Sequence, residues 1–312
     1  MPRRYLITGS SGFWGSHLAP VLLKKGYQVF GTYRHRQPSS EGLTPVPCDL
    51  HNRDAIRGVV SSSRPDVVFH LAAQAYVPAS WKDFEGTFRT NVFGTYYLLE
   101  ALREQKLNCR VIMLGSSSEF GTLKEGETKF DESHAFQPSS PYGLSKVASD
   151  LLAKMYCELF LLPVIRVVPF YVIGPKKEPD APSDFAKAIV RIQRGEAKEL
   201  SVGNLSAVRD VVDIRDAIRA LLLIEEKGEL GSAYNICTGK GTSLREILEK
   251  MISLSGLNLK AAVDPARLRA GDDSRVIGDP TRMKGLGWQP IIPLGETLKS
   301  ILDYWSEIHA FS

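Results

Sequence analysis

Near its start the sequence reads Arg4-Tyr5-Leu6-Ile7-Thr8-Gly9-Ser10-Ser11-Gly12-Phe13-Trp14-Gly15, a short apolar run that leads directly into a glycine-rich turn. Apolar residues at helical spacing follow at Leu18, Val21 and Leu22. A strand, a glycine turn and a helix in this order form the unit that binds the pyrophosphate of a dinucleotide. The stretch therefore predicts a dinucleotide-binding α/β domain, and the alternative is an ordinary strand–helix junction that contains glycines.

The glycines of this turn have different tasks. Gly9 permits the tight turn, Gly12 lets the pyrophosphate approach the backbone, and Gly15 lets the helix pack closely on the strand. The start of the helix also offers free N–H groups to the phosphates. The cofactor contacts predicted in this stretch are Gly9, Ser11, Gly12, Phe13, Trp14 and Gly15.

The next predicted strand, Gln28–Tyr33, ends at Arg34. An acidic residue at this tip binds the ribose 2′-hydroxyl of NAD, whereas a guanidinium suits a 2′-phosphate. The sequence therefore favours NADP(H), with NAD(H) as the alternative if Arg34 is only a solvated loop residue. Asp49 is placed either to bond the adenine or to cap the helix that starts near Asn52. The cofactor contacts predicted beyond the second strand are Arg34, Asp49, Leu50, Leu71, Ala72 and Ala73.

The composition is that of a globular protein with a full core, since 43% of the 312 residues are hydrophobic and 24% are charged. The 39 basic and 35 acidic residues are evenly spread and give a net charge of +4, which argues against nucleic acid as a partner. The four cysteines form no C-x-x-C pair, and the histidines share no ligand spacing. We therefore expect free thiols in the cytoplasm and no metal site. No apolar run reaches the ~18 residues that span a bilayer, so no membrane partner is expected.

Strands and helices alternate along the first half of the chain. Six predicted strands up to Val168 indicate a Rossmann-type, doubly wound parallel sheet of the α/β class. A smaller C-terminal α/β lobe, which we expect to bind the substrate, follows the Gly174-Pro175 turn. The predicted boundaries are 1–170 for the dinucleotide-binding domain, to which 211–236 returns, and 171–312 for the substrate-binding lobe.

Two predicted helices carry polar residues that invite a functional interpretation. The first, over 84–105, contains Asn91, a poor helix former that indicates a kink or a water-holding role. The second begins at Pro141 and places Tyr142 and Lys146 on one helical face. An ammonium beside a phenol favours the phenolate, so we expect Lys146 to lower the pKa of Tyr142 from about 10 toward the working pH. Tyr142 would then be a proton donor or acceptor, and the alternative is a surface helix with a solvated lysine.

Together and in this order, the motifs resemble the extended short-chain dehydrogenase/reductase family, also called the NAD-dependent epimerase/dehydratase family. The resemblance covers essentially the whole chain. Its motifs are Gly9-x-x-Gly12-x-x-Gly15, Asp49-Leu50, His70-Leu71-Ala72-Ala73, Asn91, a serine-rich strand end and Tyr142-x-x-x-Lys146. The resemblance implies a Ser/Thr–Tyr–Lys triad, an NAD(P)(H) cofactor and a C-terminal lobe that holds a nucleotide sugar. It also implies a homodimer formed by the helices near 84–105 and 142–161.

Within the family, the local sequence is most similar to the GDP-sugar branch, the GDP-4-keto-6-deoxy-D-mannose reductases, with GDP-mannose 4,6-dehydratases as near relatives. The similar stretches are Thr90-Asn91-Val92-Phe93-Gly94-Thr95, Ser140-Pro141-Tyr142-Gly143 and Val202-Gly203-Asn204-Leu205. The resemblance implies that Lys187 and Arg209 bind the diphosphate and that Arg269 with Asp272 binds the ribose and guanine end. The full set of expected substrate contacts is Ser118, Lys187, Asn204, Arg209, Arg269 and Asp272.

The serine-rich turn at 115–121 distinguishes between reactions of the family. Relatives place the catalytic hydroxyl four residues before an aromatic–Gly pair, which here identifies Ser116. The implied catalytic triad is Ser116, Tyr142 and Lys146. Related dehydratases carry a glutamate two residues after the hydroxyl as their base, and here that position is Ser118. Glu119 comes one residue later and faces the opposite side, unless a bulge restores the dehydratase spacing with Ser117 and Glu119.

The expected reaction is therefore the NADPH-dependent reduction of the 4-keto group of a GDP-4-keto-6-deoxyhexose, which needs no carboxylate base. A GDP-mannose 4,6-dehydratase and a nucleotide-sugar 4-epimerase are the alternatives, and a non-enzymatic NADP-binding regulator is the alternative of another class. One departure concerns the substrate. The family usually has Asn after the aromatic residue at Phe170, and here Tyr171 follows, which leaves the orientation of the hexose open.

Overall fold

The computed structural model describes residues 2–265 and 275–308. Within these residues the chain forms thirteen strands. In chain order they are β1 (Arg4–Thr8), β2 (Gln28–Tyr33), β3 (Thr44–Pro47), β4 (Val67–His70), β5 (Arg110–Leu114), β6 (Val164–Pro169), β7 (Tyr171–Ile173), β8 (Leu200–Val202), β9 (Val208–Asp213), β10 (Ala233–Ile236), β11 (Gly241–Ser243), β12 (Ala261–Val263) and β13 (Arg275–Val276).

Eleven α-helices connect the strands of the described part. They are α1 (Phe13–Lys24), α2 (Arg53–Ser63), α3 (Val77–Lys82), α4 (Phe84–Phe88), α5 (Gly94–Glu104), α6 (Pro141–Phe160), α7 (Ala181–Gln193), α8 (Ile214–Lys227), α9 (Leu244–Ser255), α10 (Thr281–Gly285) and α11 (Leu294–Ile308). A π-helical turn at Arg89–Phe93 joins α4 to α5, and a 3₁₀ turn at Ser117–Glu119 follows β5. None of the helices within 2–265 and 275–308 has both the length and the apolar character of a membrane span.

Seven strands form one parallel sheet in the order β10-β6-β5-β4-β1-β2-β3. The first strand lies inside this sheet, because β1 pairs with β2 on one side and with β4 on the other. The strand order therefore reverses at β1, and sheets of this kind bind ligands at the carboxyl ends of the strands beside such a point. The predicted doubly wound sheet of Rossmann type is confirmed.

The strands of the large sheet are covered on both faces. Tyr5 and Ile7 of β1 pack on one side with α1 and α8, and Leu6 packs on the other with α2, α5 and α6. All three side chains are almost completely buried. Burial on both faces explains the nearly continuous apolar runs of these strands and gives a rigid base to the residues at their carboxyl ends.

The C-terminal lobe has a hydrophobic core of its own, formed by α7, α9 and α11. Two small sheets border it, in which β9 pairs with β7, β11 and β13, and β12 pairs with β8. Residues 211–213, which we predicted to return to the large sheet, lie instead in β9 beside β7. The return is made by α8 and by β10, which pairs with β6. An apolar strand pattern does not specify its sheet, because pairing depends on long-range contacts. The domain boundary at residue 170 stays a prediction.

Asp210 of β9 ties the lobe to the end of β10. It is completely buried, and its Oδ1 accepts the backbone N–H and the hydroxyl of Thr238, each at 2.7 Å. Its Oδ2 accepts the N–H of Gly239 at 2.8 Å and that of Gly278 at 3.2 Å. Four donors from two separate segments thus converge on one carboxylate. Because the site is buried, no water can take the place of the carboxylate as their acceptor.

Replacement of Asp210 by Asn should lower the free energy of unfolding by about 2–4 kcal/mol, because the amide nitrogen would face N–H groups that lose their acceptor. Asp303→Asn is the matched control, since Asp303 is exposed and forms a surface pair with Lys299. Such pairs contribute less than about 1 kcal/mol. Urea unfolding followed by circular dichroism measures both variants. A stability of D210N equal to that of the wild type would contradict the role of this carboxylate.

Candidate active site

A cavity of about 950 Å³ lies between the large sheet and the C-terminal lobe. The carboxyl ends of β4, β5 and β6 and the start of α6 form one wall, and β7, β8 and β9 form the other. The predicted site residues that line it include Ser116, Ser118, Tyr142, Lys146, Asn204 and Arg209. Among the residues that the structure describes, no three His, Cys, Asp or Glu side chains are grouped as a metal ion would require.

Tyr142 reaches this cavity from the first turn of α6. Ser140 caps the helix by accepting a backbone N–H of that turn at 3.1 Å, and Pro141 occupies the first helical position. The Tyr142 N–H donates to the Ser80 hydroxyl at 3.1 Å. The side chain of Ser116 lies beside the phenol hydroxyl, close enough to act on its pKa. The phenol is therefore held between α6 and the turn that follows β5.

Burial dominates the protonation of Tyr142. It raises the pKa of Tyr142 to about 12, although the Ser116 side chain acts in the opposite direction. The prediction that Lys146 lowers this pKa toward neutrality is wrong. The Lys146 ammonium donates to the Leu114 carbonyl oxygen at 2.5 Å, and burial lowers the pKa of Lys146 itself. At neutral pH Tyr142 is thus protonated, which is the form that can donate a proton.

The turn after β5 presents hydroxyl groups to the cavity and buries its carboxylate. Ser116, Ser117 and Ser118 line the cavity, whereas Glu119 lies completely buried beneath them. Glu119 Oε1 accepts the Ser116 N–H at 2.7 Å, and Ser116 Oγ accepts the Ser118 N–H at 3.2 Å. This reciprocal capping turns the carboxylate back toward the backbone. The turn therefore does not adopt the dehydratase spacing, in which the carboxylate would face the cavity.

The predicted helix over 84–105 is interrupted by the π-helical turn around Asn91. The buried Asn91 amide accepts the Gln74 N–H at 2.8 Å and donates to the Gln74 carbonyl oxygen at 3.0 Å. It also donates to the Ser145 hydroxyl at 2.9 Å. Asn91 thus fixes the segment after β4 against α6, close to Tyr142, and π-helical turns are frequent at functional sites. Its water-holding role stays a prediction.

The glycine turn after β1 has the geometry that a dinucleotide requires. Gly9 has φ +69°, and a Cβ on it would lie 2.8 Å from the Ala72 Cα atom. A Cβ on Gly15 would lie 2.5 Å from the Gly9 carbonyl oxygen, so neither position admits a side chain. Gly12 precedes α1, and no side chain of the described residues caps that helix. The N–H groups of its first turn are therefore available to a phosphate, and the residues present fit a bound dinucleotide.

The other predicted cofactor residues lie around this turn. Those that line the cavity are Trp14, Leu71, Ala73, Tyr142 and Lys146. Ser11 and Phe13 belong to the glycine turn but not to the cavity lining. Ala72 lies directly below Gly9, and Leu50 is buried. The two small residues after β4 therefore leave space above the turn, as close approach of a cofactor requires.

A guanidinium stands at the tip of β2. Arg34 Nε lies 3.4 Å from Asp49 Oδ2, and their side chains are 51% and 41% exposed. Asn52 caps α2 by accepting the Ala55 N–H at 3.0 Å, so the capping role considered for Asp49 is wrong. Asp49 instead accepts the N–H of His51 at 3.0 Å. Arg34 remains accessible to an anion at the place where the cofactor ribose is bound in sheets of this type.

The predicted substrate contacts are only partly brought together. Those that line the cavity are Ser118, Asn204 and Arg209. Lys187 is not among the lining residues, because its ammonium contacts Glu178 and lies 4.2 Å from the centre of the Trp305 ring. Arg269 and Asp272 lie outside the described residues.

The loop before α7 contributes a cluster that the sequence interpretation missed. Lys177 lines the cavity, and its ammonium lies 3.0 Å from Asp180 Oδ1 and 4.5 Å from the centre of the Tyr171 ring. The Tyr171 hydroxyl donates to the same carboxylate oxygen at 2.9 Å. Tyr171, which replaces the usual Asn, thus belongs to a polar cluster on the lobe side of the cavity. The Lys/Pro-rich loop at 175–182 is the signal from which this cation could have been found.

The family model for GDP-mannose 4,6 dehydratase matches residues 6–301 of the chain. The chain is 32% identical to GDP-6-deoxy-D-mannose reductase of Pseudomonas aeruginosa, over 98% of both proteins. It is 30% identical to UDP-glucose 4-epimerase of Mycolicibacterium smegmatis, over 97% of this chain and 98% of that protein.

Solved structures give the same result. RMD from Pseudomonas aeruginosa, solved in complex with NADPH, has a TM-score of 0.86 at 30% identity and covers 98% of this chain and 99% of its own. UDP-glucose 4-epimerase of Thermus thermophilus, solved with NAD, has a TM-score of 0.87 at 28% identity over 97% and 98% of the two chains. The resemblance seen in the motifs is thereby confirmed. The chain belongs to the GDP-mannose 4,6-dehydratase family of extended short-chain dehydrogenases/reductases, which are NAD(P)-dependent oxidoreductases.

Proposed function

We propose that this enzyme reduces the 4-keto group of a GDP-4-keto-6-deoxyhexose with NADPH, as a GDP-4-dehydro-6-deoxy-D-mannose reductase does. The proposal rests on the turn after β5, where Ser116, Ser117 and Ser118 but no carboxylate line the cavity beside a protonated Tyr142. Reduction of a ketone needs a proton donor, whereas a 4,6-dehydration needs a base for the C5 proton. The 32% identity to GDP-6-deoxy-D-mannose reductase supports the same reaction.

Tyr142 would supply the proton. Negative charge develops on the carbonyl oxygen during reduction, and a phenol with a pKa of about 12 is still a stronger acid than the alcohol that forms. Ser116, whose side chain lies beside the phenol, would donate to the same oxygen and stabilise its charge. A lysine ammonium has three N–H donors, and the Leu114 carbonyl takes one of those of Lys146. Lys146 would use another to hold the nicotinamide ribose.

The glycine turn and the start of α1 would bind the cofactor pyrophosphate. The nicotinamide supplies a hydride when the cofactor is bound. We favour NADPH over NADH because the Arg34 guanidinium is accessible at the tip of β2 and suits a 2′-phosphate. RMD from Pseudomonas aeruginosa was solved with NADPH, whereas the Thermus epimerase was solved with NAD.

The C-terminal lobe would bind the GDP-sugar. Arg209 and Lys177 both line the cavity, and their positive charges suit the diphosphate. Lys177 replaces Lys187 in this proposal, because Lys177 lines the cavity and Lys187 does not. Ser118 and Asn204 line the cavity as well and would bind sugar hydroxyls. Arg269 and Asp272 remain the proposed contacts of the ribose and guanine.

A nucleotide-sugar 4-epimerase is the second candidate. Tyr142 and Ser116 can also take a proton from a C4 hydroxyl and return it, which likewise requires no carboxylate in the turn. A UDP-glucose 4-epimerase is 30% identical to this chain. An epimerase returns its cofactor unchanged, whereas a reductase consumes one NADPH for each sugar.

We also propose a cytoplasmic location. All four cysteines are free thiols. Burial raises the pKa of Cys48 to about 11 and that of Cys109 to about 12, so these thiols resist oxidation. Free thiols are typical of a reducing compartment.

The reaction is tested by offering GDP-mannose and, separately, its 4-keto-6-deoxy derivative, each with NADPH, with NADH and without added cofactor. We expect the keto sugar to be reduced and GDP-mannose to remain unchanged. The reduction should consume NADPH stoichiometrically, as measured by its absorbance, and should consume NADH more slowly. Mass spectrometry identifies the product. Conversion of GDP-mannose without added cofactor would show a dehydratase. Interconversion of 4-epimers without net loss of NADPH would show an epimerase.

Tyr142→Phe should lower kcat by about 10²–10⁴-fold, because the general acid is lost, while NADPH affinity stays near that of the wild type. Tyr156→Phe is the matched control, since Tyr156 is a buried tyrosine of the same helix whose hydroxyl donates to Glu100 at 2.7 Å. That variant should keep its turnover. Steady-state kinetics and NADPH fluorescence titration measure the two effects. A kcat of Y142F within about tenfold of the wild type would exclude the role of Tyr142.

We further propose a homodimer formed through α6. Four exposed apolar side chains lie on one face of this helix, at intervals of seven, four and four residues. They are Leu144, Leu151, Met155 and Leu159. Phe93, on the neighbouring π-helical turn, is half exposed as well. Exposed apolar side chains grouped on one helical face are typical of a buried interface between subunits.

Leu151→Glu should convert the dimer to a monomer, because it would place an unpaired charge in the centre of the apolar face. Ile291→Glu is the control, since Ile291 is an exposed apolar residue elsewhere on the surface. Sedimentation equilibrium measures the mass of both variants. A monomeric wild type, or an L151E protein that remains dimeric, would contradict this interface.

A further inference from the structure

Ionisable side chains are packed together beneath the candidate active site, away from the cavity surface. Glu119 is completely buried, and Lys146 and Asp150 are 6% and 3% exposed. The charged and titratable groups that face this cluster are Tyr142, Lys146 and Asp150 of α6, Arg166 of β6 and His70 of β4. Burial of this many ionisable groups in one place is costly unless each has a partner.

Glu119 differs from the other carboxyl group in its partners. Asp150 forms a short ion pair with Arg166, in which Oδ2 and Nη1 are 2.5 Å apart. Glu119 forms no ion pair within the described part of the chain. Its Oε1 accepts the Ser116 N–H at 2.7 Å, while its Oε2 is buried and reaches no hydrogen-bond donor of the described residues. An ionised carboxylate in this place would carry a poorly solvated charge, whereas a protonated carboxyl group would carry no charge.

The surrounding backbone accommodates this carboxyl group closely. A Cβ on Gly115 would lie 2.5 Å from Glu119 Oε1 and 3.2 Å from the Val167 carbonyl oxygen. Glu119 therefore fills space that a side chain at residue 115 would otherwise take. The turn that carries Ser116 is thus built around the Glu119 side chain.

We propose that Glu119 is a positioning residue of the reductase, which holds the Ser116 backbone beneath Tyr142 and, through its change of charge with pH, sets how readily Tyr142 and Lys146 lose their protons. This role rests on the proposed function, in which Tyr142 must stay protonated. Glu119 does not touch the cavity and is not the base of a dehydration.

The direction of the effect follows from the signs of the charges. Burial, followed by the charge of Asp150, raises the pKa of Glu119 to about 8, and Lys146 opposes this. Glu119 therefore stays neutral to a higher pH than an ordinary carboxyl group does and becomes negative as the pH rises further. A negative Glu119 raises the pKa of both Tyr142 and Lys146. It thereby delays their loss of protons and extends the activity to higher pH.

The test is the pH profile of kcat in Glu119→Gln, because glutamine keeps an acceptor for the Ser116 N–H but cannot become negative. We expect its alkaline limb to lie about one pH unit below that of the wild type, the shift that loss of one nearby charge produces. Glu132→Gln is the matched control. Burial also raises the pKa of Glu132, but its carboxylate binds the Asn235 N–H and Arg282, away from the active site. An E119Q limb that coincides with that of the wild type would overturn the proposal and leave Glu119 a structural residue.

A second measurement needs neither a substrate nor a folded E119Q protein. The carboxyl carbons of 13C-labelled glutamate are followed by NMR against pH in the wild type and in E132Q. We expect one carboxyl group to titrate near pH 8 in both proteins. If no such carboxyl group remains in E132Q, Glu119 does not change its charge in this range and the proposal fails. Because this readout is independent of turnover, it separates a failure of this inference from a failure of the proposed reaction.

Discussion

Exclusion of water from the junction of β5 and α6 determines the chemistry of this enzyme. Desolvation disfavours every charged form there, so it raises the pKa of the Tyr142 phenol and of the Glu119 carboxyl and lowers that of the Lys146 ammonium. The Tyr142 phenol is therefore held in its neutral form before substrate arrives. In the proposed reaction this neutral phenol would donate its proton to the developing alkoxide, with Ser116 beside it.

This junction is held in place by the large sheet and by three local structures: the capping turn after β5, the first turn of α6 and the π-helical turn. The covered parallel strands fix where β5 ends, and the capping turn that follows directs Ser116 toward α6. Ser140 and Pro141 set the first turn of α6, which carries Tyr142. The π-helical turn around Asn91 ties the segment after β4 to the same helix. On the opposite wall, Asp210 holds the smaller lobe against the end of β10, and the cavity lies between them.

Much of this arrangement could be predicted from the sequence, because it is encoded in local patterns. The glycine turn, the order of the strands and the Tyr142–Lys146 pair depend on backbone preferences and helical spacing, which neighbouring residues determine. The protonation of Tyr142 could not be predicted, since desolvation depends on which segments cover the phenol. The pattern placed residues 211–213 in the wrong sheet, because strand pairing also depends on contacts with segments that are distant in the sequence. The family resemblance indicated Lys187, although Lys177 is the lysine that lines the cavity.

The most direct test of this account is a titration of Tyr142 in the free enzyme. The ultraviolet absorbance of tyrosinate is followed against pH in the wild type and in Y142F, and their difference isolates the phenol of Tyr142. An ordinary tyrosine loses its proton at about pH 10. Burial predicts that the difference signal is still absent at that pH and develops only toward a pKa of about 12. A signal that develops near neutral pH would show a phenolate stabilised by Lys146 and would contradict the account.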